Sequence, residues 1–170
     1  MRDIWLISDT HFGHANIIRH CNRPFESVEE MNEVMIARWN AVVRPQDHIY
    51  HLGDVAGPHV YDQIMPRLAG HKRLILGNHD DTIPMQKLMR HFDKILAWRL
   101  FKPLLLTHVP IHVGSFGKAD VNVHGHIHEK PSPAPQDDKR WFNACVEWQD
   151  YTPVHLETVC QRLGVILGQQ

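Results

Sequence analysis

Cysteine is scarce in this chain of 170 residues: Cys21, Cys145 and Cys160 make an odd number, widely spaced and without a CxxC pair. That argues against a disulfide framework and suits a reducing compartment. An excess of either charge is missing too, with 18 Lys and Arg against 19 Asp and Glu, a net charge of −1. The cations are scattered, so bulk charge offers no strong signal for a nucleic-acid partner. Long hydrophobic runs are absent: none approaches the roughly 20 residues a membrane helix needs. Met1 to Ile7 leads straight into a strand-like segment and lacks the apolar stretch and cleavage site of a signal peptide. The expectation is a soluble, cytoplasmic protein with no membrane partner. There is no internal repeat, and 43% hydrophobic with 22% charged residues is ordinary globular composition. One domain spanning 1–170 is expected.

Histidine, by contrast, is abundant, with 15 residues spread from His11 to His155 rather than gathered in a tract. Their placement follows a pattern. Five short apolar runs have the character of buried strands, and each stops at a polar group able to bind metal. Ile4–Ile7 leads into Ser8-Asp9-Thr10-His11, and Ile49–Leu52 into Gly53-Asp54. Leu74–Leu76 leads into Gly77-Asn78-His79-Asp80, Leu104–Leu106 into Thr107-His108, and Val121–Val123 into His124-Gly125-His126-Ile127-His128.

Helical patterns lie between the runs. The clearest spans Val28 to Val43, with Val28, Met31, Met35, Trp39 and Val42 on one face; Ser27 and Glu30 have capping-box spacing at its start, and Pro45 follows its end. Weaker patterns cover Asn16–Cys21, Val60–Leu68, Met85–Phe92 and Val154–Leu163, with Pro66 expected to end or bend the second of these. Glu129 to Asp138 reads as a solvated loop, followed by a strand-like Trp141–Val146 and a closing helix. Strands alternating with helices define an α/β domain, in which ligands gather beyond the carboxyl ends of the strands. All five polar groups sit at that end of their runs.

Residues i and i+2 of a strand point to one side. Asp9 and His11 can therefore reach one ion together, as can His126 and His128 one site. Asp54 follows a glycine that permits close backbone approach, and its carboxylate can bridge two ions. Asn78 offers an amide oxygen and His108 an imidazole. Oxygen and nitrogen ligands without thiolate suit manganese, iron, cobalt, nickel or zinc. Two divalent cations bring +4, and Asp9, Asp54 and a bridging hydroxide bring −3. The surplus attracts an anionic phosphate although the chain is nearly neutral. Ions about 3.5–4 Å apart stabilise both attacking and leaving oxygens of an in-line displacement.

Asp9-x-His11, Gly53-Asp54, Gly77-Asn78-His79-Asp80, Thr107-His108 and Gly125-His126-x-His128, taken in this order, resemble the calcineurin-like metallophosphoesterase superfamily. SDTHFGHANII, RPF, HLGDV and Asn143–Pro153 are similar to a small bacterial and phage-related branch of it. The resemblance implies an αββα sandwich of two mixed β-sheets with outer helices. It also implies a binuclear metal centre: Asp9, His11 and His128 on one ion, Asn78, His108 and His126 on the other, Asp54 bridging. Manganese is the first choice of metal. His79 matches the histidine that assists the leaving group or binds the phosphoryl oxygen. The implied activity is hydrolysis of a small phosphate ester, a phosphodiester in preference, by a metal-bridging hydroxide; a nucleotide pyrophosphohydrolase, a nuclease or a non-enzymatic scaffold are the alternatives. Val55-Ala56-Gly57 after Asp54 departs from the Asp-Arg-Gly of protein phosphatases and argues against that branch.

Other residues carry open readings. His51 and His124 are expected behind the ligands or in the core. His14 and Asn16 suit either substrate contact or a helix start. Arg23 suits either a phosphate or a turn, and Asp80 is expected to orient His79. His20, His48, His59, His71, His91, His112 and His155 are read as surface or packing residues.

Overall fold

The computed structural model describes residues 2–132 and 138–168. Most of the expected Glu129–Asp138 loop, residues 133–137, lies outside the described residues.

Two mixed sheets face one another. The first has the order β4-β3-β2-β1-β9, built from β1 (Ile4–Ile7), β2 (His48–His51), β3 (His71–Ile75), β4 (Lys94–Leu96) and β9 (Val154–His155). Its strands run parallel except β9, which pairs antiparallel with β1. The second has the order β5-β6-β7-β8, from β5 (Arg99–Phe101), β6 (Leu104–Leu106), β7 (Val121–His124) and β8 (Trp141–Asn143), with β5 the antiparallel member.

The period-2 alternation of a strand sorts side chains between two cores. Ile7, Ile49 and Leu74 face outward onto the helices α1 (Ala15–His20), α2 (Val28–Val42), α3 (Tyr61–Ile64) and α4 (Met85–Leu88), packing against Met31, Met35, Trp39, Tyr61 and Leu88. Leu6, Tyr50 and Ile75 face inward and meet Leu104, Leu106, Val121 and Val123 of the second sheet. α5 (Leu156–Leu163) closes this interior with Leu156, Val159, Cys160 and Leu163. The outer face of the second sheet carries Leu100, Leu105 and Trp141, covered by Ile111, Val113, Phe116 and Ala119 of the irregular segment 109–119.

Local signals account for most element ends. The Ser27 hydroxyl accepts a hydrogen bond from the Glu30 amide, 3.1 Å, as a helix N-cap should; the Glu30 carboxylate reaches back to the Glu26 amide, one residue before the cap. Pro66 converts the end of the α3 segment into a 3₁₀ turn, Met65–Arg67. Four differences from the sequence expectation stand out. The Met85–Phe92 helix is a single turn. Val154 and His155 pair with β1 before α5 begins. The expected strand Trp141–Val146 ends at Asn143 and gives way to a 3₁₀ turn, Val146–Trp148. β4 and β5 carry no pattern that announced them.

One further connection places the site. Ser8 forms an isolated parallel bridge with Cys145, and the Asp9 amide donates to the Gly53 carbonyl, 3.0 Å. The carboxyl ends of β1, β2, β7 and β8 are thereby drawn to one edge of the sandwich. Among the described residues no helix is long and apolar enough to cross a membrane.

Candidate metal centre

The loops leaving these strands bring Asp9, His11, Asp54, Asn78, His108, His126 and His128 to that common edge. Five of the seven adopt left-handed backbone: Asp9 (φ 58°), His11 (48°), Asp54 (59°), His126 (72°) and His128 (51°). Each such residue costs on the order of 1–3 kcal/mol, so a cluster of them at one place is a sign of function rather than of economy in folding. Gly53 (φ 101°) has to be glycine, since a Cβ there would meet Gly77 N at 2.6 Å and His108 Nδ1 at 2.5 Å.

Asp9, His11 and His128 form one group, and Asp54, His108 and His126 another. In the first, Asp9 Oδ2 accepts hydrogen bonds from Ser8 Oγ (2.5 Å), the His126 amide (2.8 Å) and Cys145 Sγ (3.3 Å). Among the described residues its Oδ1 is buried without any partner, and so is His11 Nε2. These atoms stand 3.9 Å apart, with His128 Nε2 3.7 Å from the same Oδ1. Buried polar atoms are almost always satisfied, and an oxygen and nitrogens converging on one point fit a cation. His11 suits that role: burial, with the nearby His128 and Arg23 charges, pushes its pKa down to about 2, so the ring is neutral.

His128 is held differently. Its Nδ1 lies 3.1 Å from Glu147 Oε1, which also receives Arg23 Nη2 at 2.7 Å. Burial opposes the charged ring, but hydrogen bonds to Cys21 and Glu147 and the nearby carboxylates outweigh it, raising its pKa to about 10. A cation held by this ring would compete with its proton.

In the second group, His108 Nδ1 lies 2.7 Å from the Leu52 carbonyl, so this nitrogen donates and Nε2 presents a lone pair. That lone pair faces Asn78 Oδ1 at 2.9 Å, two acceptors turned toward each other, which again fits a cation between them. Asp54 Oδ2 lies 3.6 Å from both His11 Nε2 and His108 Nε2, facing the two groups at once.

His79 is exposed, its ring 5.3 Å from that of His11. Its amide donates to Asp54 Oδ1, 2.9 Å. With His11, His14, Asp54 and His59 it lines a cleft of about 230 Å³. His59, read from sequence as a surface or packing residue, thus belongs to the site's wall, as does His14.

The structure decides three of the open readings. Arg23 is buried, and its guanidinium donates to the Asp9 and Thr10 carbonyls and to Glu147; it braces the first group and is unavailable to substrate. Asp80 does not orient His79: its carboxylate accepts from the amides of Asp54, Val55 and Gly77, pinning two loops together. Asn16 sits inside α1, accepting from Arg19, while His14 occupies the cap position. His51 and His124 lie behind the ligands as expected; His51 holds Thr10 and the Gly53 amide, His124 the Gly125 carbonyl and Ser132. Sequence reasoning missed Ser8, Cys145 and Glu147, whose contacts bridge 136 residues in the Cys145–Asp9 pair.

No family model matches the chain. A crystal structure of a protein of unknown function from Aquifex aeolicus, AQ665, superposes with a TM-score of 0.78 at 27% identity, over 95% of this chain and 100% of that one. The nuclease MPE of Pseudomonas putida shares the fold at a TM-score of 0.52 and 20% identity, over 75% of this chain and 62% of that one. The two mixed sheets flanked by helices are thus a metallophosphoesterase-like architecture. An uncharacterized protein of Methanocaldococcus jannaschii, MJ1445, is 38% identical over 168 residues, 94% of this chain and 90% of its own length, and the chain belongs to the same family as that protein.

Proposed function

We propose that this protein is a member of the calcineurin-like metallophosphoesterases, a metal-dependent hydrolase of phosphate esters that favours phosphodiesters. The observation that carries the reading is the Asp54 carboxylate, one oxygen of which faces His11 and His108 at 3.6 Å each. A single carboxylate turned toward two separate imidazoles is what a pair of cations asks for. Asp9, His11 and His128 would hold one ion, Asn78, His108 and His126 the other, and Asp54 both. Manganese, iron, cobalt, nickel and zinc all accept such oxygen and nitrogen donors. When bound, two such ions supply Lewis acidity and an activated water.

The chain's own groups do the rest. The Asp54 Oδ1 bond to the His79 amide fixes that backbone beside the centre and leaves the ring free in the cleft. There His79 hands a proton to the departing ester oxygen, general-acid assistance worth roughly 10²–10⁴-fold. Asp80 keeps the Asp54 and Gly77 loops in register, so His79 and the ligands move as one body.

The test has two arms. Chelator-treated protein should lose hydrolysis of an aryl phosphate ester, and Mn²⁺ should restore it; undiminished activity in protein shown to be metal-free rejects the reading. In metal-loaded His79→Ala, alkyl and nucleoside esters should slow by about 10²–10⁴-fold while nitrophenyl esters, whose leaving group bears its own charge, slow far less. Equal losses across the series would assign His79 to the phosphoryl oxygens instead.

A further inference from the structure

Two cavities of different character open on the two sides of the centre. The first is the 230 Å³ cleft lined by His11, His14, His59 and His79. The second is about 700 Å³, and the ligand residues Asn78 and His108 form part of its wall. The remainder of that wall is mainly apolar: Leu100, Leu105, Ile111 and Phe116, with Trp98 beside them. It exists because the outer face of the second sheet is covered by the segment 109–119 and not by a helix, which leaves Leu100 and Leu105 reachable from the Asn78 side. Trp98 is 58% exposed and Val109 43%. An indole left in water beside an apolar groove is a surface on which a flat ring can stack.

From these placements we infer that the groove binds an aromatic group on the ester arm that stays attached to phosphorus, and that the small cleft takes the arm that leaves. The inference rests on the phosphoesterase reading above and specifies its substrate: an asymmetric phosphodiester with one aromatic arm and one small polar arm. The side chains dictate the assignment. His79, the proton donor for the departing oxygen, lines the small cleft and not the large groove. The groove, three times larger, abuts Asn78 and His108 on the other side. A monoester has no retained arm and would leave it unused. In the reaction, a water oxygen bonds to phosphorus and the phosphorus–oxygen bond to the small arm breaks. The departing oxygen takes a proton from His79, which the attacking water's proton replaces. The products are a small alcohol and the monoester of the aromatic alcohol.

The full-length, Mn²⁺-loaded protein tests this with methyl 2-(1-naphthyl)ethyl phosphate, whose two arms have leaving oxygens of similar basicity. The expected products are methanol and 2-(1-naphthyl)ethyl phosphate; release of naphthylethanol with methyl phosphate overturns the inference. Binding gives a readout free of turnover. The uncleavable 2-(1-naphthyl)ethylphosphonate should bind at least about tenfold tighter than methylphosphonate, and Trp98→Ala should cut that preference about fivefold or more. Hexylphosphonate binding as tightly as the naphthyl ligand, or a preference unchanged in Trp98→Ala, overturns the aromatic assignment. Hydrolysis of bis(p-nitrophenyl) phosphate with no cleavage of the naphthyl diester overturns the groove and leaves the phosphoesterase standing. Hydrolysis of no ester at all removes both.

Discussion

The two halves of the metal centre are built to different standards. Around Asp9, His11 and His128 the ligands are braced from behind: Ser8, Cys145 and the His126 amide hold one Asp9 oxygen, Glu147, itself held by Arg23, braces His128, and Asp9 and His11 are buried. Around Asn78, His108 and His126 the scaffold is thinner. His108 is anchored on the Leu52 carbonyl, but Asn78 and His126 are exposed. Preorganised ligands surrender little freedom on binding, so the first half should hold its ion tightly and the second exchange it. The open half is also the one beside the large groove, where substrate has to arrive.

The change with the largest expected effect erases the distinction. Asp54→Asn removes the charge that faces both halves, so calorimetric titration should show weakened binding of both ions and activity should fall on the order of 10³-fold. Unchanged stoichiometry would contradict the bridge. Glu147→Gln should sharpen the distinction instead. It weakens the support of His128 and leaves the buried Arg23 guanidinium without its counter-charge, a loss of up to about 3–5 kcal/mol in stability. Affinity for the first ion should drop about 10–100-fold, with the second nearly unaffected. A loss confined to the second ion would reverse the assignment of the halves.

The legibility of the site follows the same division. The ligands could be read from sequence because each follows a short apolar run and because i, i+2 pairing is a local rule. The braces could not. Ser8 stood in the polar group after the first run with no role of its own, and Cys145 and Glu147 reach Asp9 and His128 only because β8 comes to lie beside β7 and Ser8 beside Cys145. Arg23, next to a proline and before a helix cap, looked like a turn or a phosphate contact, and only tertiary packing shows its guanidinium on main-chain carbonyls. In the fold, the long amphipathic α2 declared itself through its cap and its buried face. β4 and β5 are three residues each, one beginning with Lys94 and the other with Arg99, too short and too charged at their ends to stand out. Val154 and His155 were absorbed into the helical pattern of α5 because a two-residue strand has no period of its own.

The smallest expected effect concerns Ser8, whose hydroxyl is one of three donors on Asp9 Oδ2. Those donors turn the carboxylate so that Oδ1 points at His11 and His128. Ser8→Ala removes the 2.5 Å bond and leaves the His126 amide at 2.8 Å and Cys145 Sγ at 3.3 Å. The methyl side chain fits where the hydroxymethyl was, so no clash arises and the fold should persist. A neutral donor lost from a carboxylate that keeps two others costs about 0.5–1.5 kcal/mol. That corresponds to a weakening of the first ion by roughly 2–13-fold, below the effect of Glu147→Gln. The second ion should bind nearly as before, because neither Asn78 nor His108 touches Ser8 or Asp9 Oδ2 and the His126 amide keeps its own bond to that oxygen. Metal titration of the variant gives both affinities in one experiment. If both ions weaken together, the halves are coupled through Asp9 as well as through Asp54, and the picture of one braced and one open site fails.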